Sequence, residues 1–322
     1  MSPRLRIAAL VTVAALAAAA VAVAAGVLTR DDEPSRAREG SPPLVLDLGV
    51  RTDVEARELR RASELYEAGR PDEAAPVFAR HRSLQARIGL AFARWPRGTQ
   101  GRLEQLSAAN PRSAAVRLHL GLAYFWAGRD AEAVAEWRSA AQVEPDSLFA
   151  VRAGDLLHPG QAPGLPAFVP GFAAPKRLDA LEPARQLALL RRNAARPDAR
   201  AKLLYGVALQ RLGRPLSAER EYAAAARLAP SDPEAQVAAA VGRYRKDAPE
   251  RAFSRLGPLS RRFPRAATVR FHLGLCLVWL GRLDEAKHQL LLARSSSPAS
   301  EIAREANRFL ARLEGVRARP EG

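Results

Sequence analysis

The chain has 322 residues, 50 Lys and Arg against 34 Asp and Glu, and a formal charge of +16. One cysteine, Cys276, excludes an intrachain disulfide, and alanine, leucine and arginine outnumber the β-branched and aromatic residues, which favours helix over sheet. Lysine stands at only four positions, Lys176, Lys202, Lys246 and Lys287, and this arginine and alanine bias is what a GC-rich bacterial genome produces.

The first predicted element is apolar. Ile7 to Leu28 carries no charge and at about 1.5 Å per residue would span roughly 33 Å, close to a hydrocarbon core of about 30 Å. Arg4 and Arg6 precede it, and Arg30, Asp31, Asp32 and Glu33 follow. The positive-inside bias then predicts a cytoplasmic N-terminus (1–6), a single signal-anchor helix (7–28) and an extracytoplasmic remainder at the cell membrane. The competing reading is a signal peptide cleaved near Ala20 to Gly26, which would release a secreted chain; its apolar core is long for that. Residues 29–54, polar and proline-bearing at the start, are expected to form a flexible tether.

From there the chain repeats itself. Ala114 to Pro145 returns as Ala199 to Pro230 and as Ala267 to Pro298. The copies share Gly121, Gly206 and Gly274, then Gly128, Gly213 and Gly281 seven residues on. Ala133, Ala218 and Ala286 follow, and the bulky Trp137, Tyr222 and Leu290 come four residues later. Each copy closes on Pro145, Pro230 or Pro298. The first glycine lets two helices approach, the second closes a helix, and the proline ends the unit. Prolines at the same 34-residue spacing, Pro230, Pro264 and Pro298, and Pro111 and Pro145, mark weaker copies at Pro233 to Ala266 and at Arg80 to Ser113. Gly69, Ala74 and Phe78 mark a shortened first copy.

In spacing and residue type these units resemble the tetratricopeptide repeat. The resemblance implies an all-α, right-handed α-solenoid of helix-turn-helix units over 55–300: 55–79, 80–113, 114–147, 148–198, 199–232, 233–266 and 267–300. An amphipathic helix at 301–317 would cap the last open face. The 148–198 unit is expected to contain an enlarged loop, 158–175, with Pro159, Pro163, Pro166, Pro170 and Pro175. Leu165, Phe168, Val169 and Phe172 are costly to leave in water. Two readings stand for this loop: it fills an imperfect repeat junction, or it lies in the protein's own groove and competes with ligand.

No HExxH, CxxC, GxGxxG or phosphate-loop pattern occurs, so neither catalysis nor a cofactor or metal is expected. His119 and His272 recur two residues before the first repeat glycine and read as histidines shared by related helix faces. In the repeat family, first helices line a concave groove. Carried over, that predicts partner contacts at Leu118, Leu122, Phe125 and Trp126, at Arg200, Gln210 and Arg211, and at Phe271, Leu275 and Trp279. Part of the apolar set could equally be inter-repeat core. The expected function is a non-catalytic scaffold for proteins or peptides, similar to bacterial envelope proteins in which one membrane span precedes such repeats. The alternative is an accessory protein that contacts anionic envelope polymers or lipids through basic surface. Nucleic acid is not expected, because no recognition motif accompanies the arginines.

Overall fold

A computed structural model describes residues 37–317. Among them are fifteen α-helices, one short 3-10 turn at Lys176–Leu178, and no strand. The predicted span at 7–28 lies outside the described residues; within them, no helix is long and apolar enough to cross a membrane.

The chain divides into two compact units at Pro159 and Gly160. In the first, three helix hairpins follow one another: α1 (Val54–Glu67) with α2 (Pro71–Ala79), α3 (Leu84–Ala93) with α4 (Thr99–Ala109), and α5 (Ala114–Trp126) with α6 (Asp130–Val143). α7 (Leu148–Leu157) closes this unit against α6 and α5. The second unit begins with the 3-10 turn and α8 (Pro183–Ala194). It then repeats the plan: α9 (Ala199–Arg211) with α10 (Pro215–Leu228), α11 (Pro233–Val241) with α12 (Glu250–Arg262), and α13 (Ala267–Trp279) with α14 (Leu283–Ser296). α15 (Glu301–Arg317) packs on α14 and α13.

The repeated residues set the hairpin geometry. A methyl group on Gly121 would lie 2.5 Å from the Trp137 indole nitrogen, and one on Gly206 would lie 2.4 Å from the Tyr222 ring. Only glycine lets α5 and α9 approach the aromatic residue of the following helix. Trp137, Tyr222 and Leu290 are fully buried, flanked by the buried alanines at 133, 140, 218, 225, 286 and 293. Gly128 has φ of 77° and closes α5, with the Arg129 amide donating to the Tyr124 carbonyl at 2.9 Å. Five of the six first helices are capped by side chains: Asp53, Ser83, Ser113, Asp198 and Asp232 each accept an amide from the first turn of the helix that follows, while α13 begins after Ala266 without one.

Two stretches differ from the expectations. Residues 29–54 were expected to be tether throughout, but 38–48 run extended along the first unit and are held by hydrogen bonds at both ends. Buried Leu44 and Leu48 supply the reason, since a loose tether would leave both in water. The 148–198 stretch was expected to be one repeat. Instead α7 packs on α6 and α5, α8 packs on α9, and the unit boundary falls between them. Loop 158–175 is therefore the entry to the second unit.

Candidate functional site

Each unit holds an extended segment of its own chain across its first helices. In the first unit this strap is Arg38 to Leu48, and in the second it is Ala162 to Phe172.

The first strap is read through its backbone. The Val45 amide donates to Nε2 of His119 at 3.1 Å. The Asp47 amide donates to Gln85 Oε1 at 2.8 Å, and Gln85 Nε2 donates back to the Asp47 carbonyl at 2.7 Å. The Tyr66 hydroxyl donates to the Pro42 carbonyl at 2.6 Å, and Trp95 Nε1 to the Gly40 carbonyl at 3.1 Å. At the start, the Arg38 amide reaches the Trp126 carbonyl at 2.8 Å, and its guanidinium pairs with Asp130 at 2.9 Å.

The second strap is read in the same manner. The Val169 amide donates to His272 Nε2 at 2.9 Å and the Gly171 amide to Glu234 Oε2 at 3.0 Å. Gln210 grips two places, donating to the Pro166 carbonyl at 2.9 Å and accepting the Phe168 amide at 3.1 Å. Trp279 Nε1 donates to the Gly164 carbonyl at 3.0 Å, and Lys246 Nζ to the Ala162 carbonyl at 2.8 Å.

The two histidines hold one tautomer. Each Nδ1 faces the carbonyl four residues back, Ala115 at 2.6 Å and Thr268 at 2.7 Å, so Nδ1 carries the proton and Nε2 accepts from the strap. Burial is the main reason that both imidazoles titrate at about 4 instead of 6.5. Burial also raises the Glu234 carboxyl above its ordinary range, against the opposing Gly171 amide. The Tyr66 hydroxyl is pushed up to about 12 by burial. Side chains complete the seat: Phe168 stacks on the His272 ring at 5.1 Å and meets Tyr222 edge-on at 5.5 Å.

The residues singled out in the sequence fall into two groups. Leu118, Leu122, Phe125, Phe271 and Leu275 are buried in the unit cores, so their side chains are packing residues in this state. Gln210 and Trp279 bond a strap through their side chains, and Trp126 does so through its main-chain carbonyl. Arg200 is exposed, with its guanidinium 5.2 Å from the centre of the Phe172 ring; Arg211 is exposed as well. Sequence reasoning passed over Tyr66, Gln85, Trp95, Glu234 and the reader role of both histidines. A signal was present: Gly40-x-Pro42-x-Leu44-Val45 returns 124 residues later as Gly164-x-Pro166-x-Phe168-Val169. Both glycines have positive φ, 80° and 71°, which turns the chain into the seat. Among the described residues no group of three metal-ligating side chains occurs.

Paired helices that present one face to an extended peptide define a helical-repeat protein. More particularly, residues 100–147, from α4 to the end of α6, match the family model of the tetratricopeptide repeat. No curated protein matches the sequence. Among solved structures, the chain is similar to one described as the APC/C hetero-tetramer Cut9–Hcn1, at 14% identity over 83% of this chain and 51% of that one, with a TM-score of 0.31. It is similar to the TPR2AB domain of yeast Sti1 in complex with an HSP90 peptide, at 13% identity, 81% and 98% coverage and a TM-score of 0.30. It is also similar to yeast Tom70, at 12% identity, 82% and 54% coverage and a TM-score of 0.30. The chain thus spans about half the length of two of these three proteins. Overlap of this size fixes neither the curvature of the repeats nor a ligand.

Proposed function

We propose that this chain is a non-catalytic scaffold that binds proteins or peptides through the first-helix faces of its repeats. The observation that carries the reading is the strap. Each unit binds an extended peptide by side chains that read backbone groups, which is the chemistry a peptide-binding face needs. Trp126, Gln210 and Trp279, with Arg200 and Arg211 beside them, are the candidate contacts for a partner. Residues 7–28 would hold the repeats on the outer side of a bacterial cytoplasmic membrane; the length and charge flanks of that segment support this placement.

The test is crosslinking followed by pull-down of the full chain from membranes, with Gln210→Ala and Trp279→Ala alongside. Partners lost with either substitution support the reading. If every partner survives both substitutions, the face is not the binding site. If capture collapses between low and moderate salt, it points instead to basic surface acting on anionic envelope polymers. Protease added outside intact cells should cut the repeats; full protection would overturn the membrane placement.

A further inference from the structure

The two straps are related position by position. Gly40, Pro42, Val45 and Asp47 stand 124 residues before Gly164, Pro166, Val169 and Gly171. Their readers also correspond. Tyr66 and Gln210 each sit three residues before a positive-φ glycine, Gly69 and Gly213, and hold the two prolines' carbonyls. Gln85 and Glu234 are each the second residue of their helix, and they take the amides of Asp47 and Gly171. His119 and His272 are each the sixth residue of theirs and take the two valine amides. Side chains of the straps, by contrast, differ at most positions: Leu44 against Phe168, Leu48 against Phe172, Asp47 against Gly171.

A reader set aimed at main chain accepts more than one sequence, and this chain already presents two. The seat also resists being empty. His272 is fully buried and neutral, and without a strap amide its Nε2 would lose its donor. An empty seat would leave that acceptor to water, so occupancy by an extended segment is favoured. The second strap is also built to leave, because it is loop from His158 to Pro175 and its release unfolds no helix. Of its side chains only Pro166 and Phe168 are buried.

We propose that the second unit's seat is a binding site for an extended segment of another protein, and that residues 162–172 are a resident ligand that such a segment displaces. The segment it fits has glycine in a left-handed turn, proline two residues on, a bulky apolar residue at four, valine at five and an apolar residue at eight. This rests on the scaffold reading and names its partner's chemistry.

The test uses the full chain and a full-length variant in which residues 163–171 are replaced by Gly and Ser, with Pro at 168, 169 and 171 so that the three strap amides are removed. The probes are fluorescein-labelled peptides with the sequences of 162–172 and 38–48, and the 162–172 peptide carrying Val169→Pro, read by anisotropy. The emptied variant should bind both parent peptides. The unaltered chain should bind them about a hundredfold more weakly, because its tethered strap competes at an effective concentration on the order of millimolar. Loss of the Val169 amide should weaken the peptide at least tenfold. Should the emptied variant lose its helical circular dichroism, the single change Val169→Pro in the full chain replaces it, with affinity for the 162–172 peptide expected to rise about tenfold over the unaltered chain. The proposal is overturned if a folded, emptied chain binds neither parent peptide, or binds the proline variant equally well. Partners captured alike by the emptied and unaltered chains would also overturn it while leaving the scaffold reading intact. Peptides bound without any captured partner would uphold the seat and count against the scaffold reading.

Discussion

Acid should loosen the first unit through His119. Its ring is enclosed by Phe92 and Phe149, accepts from Val45 and donates to the Ala115 carbonyl; no charged group contributes to its shift. The imidazole titrates at about 6.5 when unfolded and at about 4 in place. A histidine whose pKa is depressed by folding adds stability that is complete above the unfolded value and fades as the pH falls toward the folded one. At about 1.4 kcal/mol per pH unit, the loss is about 2 kcal/mol at pH 5 and about 3 kcal/mol at pH 4. Protonation also places an N–H against the Val45 amide, so the strap should be released in the same range.

The assay is urea unfolding followed by tryptophan emission between pH 7 and pH 4. A Trp279→Phe background leaves Trp95, Trp126 and Trp137, all in the first unit, as the reporters. Other carboxylates lose their partners in acid, so the comparison is with His119→Leu, which keeps them and removes the imidazole. That variant should be less stable at pH 7, by roughly 1–3 kcal/mol, because the Val45 amide loses its acceptor. The parent should then lose about 3 kcal/mol more than the variant by pH 4. Equal slopes for the two proteins would refute the reasoning, as would a folded-state His119 resonance titrating near 6.5. In the second unit the same fall at His272 should be partly offset. The Glu234 carboxyl is raised by burial, so its contribution is favourable in acid and fades as the pH rises.

Glycine substitutions should split by position. Gly206→Ala drives a methyl group to 2.4 Å from Tyr222 and should cost about 1–3 kcal/mol in thermal unfolding, while Gly101→Ala, on an exposed turn of α4 with nothing within 4 Å, should stabilise by about 0.5–1 kcal/mol. Cys276 is fully buried and its thiol is pushed up by that burial, so iodoacetamide should leave it unmodified until urea unfolds the second unit, as mass spectrometry can read. Removing the cap of α5 with Ser113→Ala, whose hydroxyl accepts the Val116 amide, should cost about 1 kcal/mol by denaturant titration.

Gly121, Trp137 and Pro145, with their equivalents, made the hairpins legible in the sequence, because helix approach and closure depend on residues close in the chain and recur at a fixed spacing. Loop 158–175 was legible as apolar and non-helical, and its place in its own groove was one of two readings the residues allowed. The strap at 38–48 was not legible, since Leu44 and Leu48 look like ordinary apolar residues until a distant helix covers them. Nor could the sequence sort Leu118, Leu122, Phe125, Phe271 and Leu275 from Trp126 and Trp279, as all seven lie on the same two helices. The sequence by itself determined the helix pairs, their spacing and their caps, all written in interactions within about 34 residues. Only the tertiary structure decided which side chains read a strap. The His119 contact with Val45 crosses 74 residues and the His272 contact with Val169 crosses 103, and no local pattern encodes which backbone group will arrive at a buried imidazole.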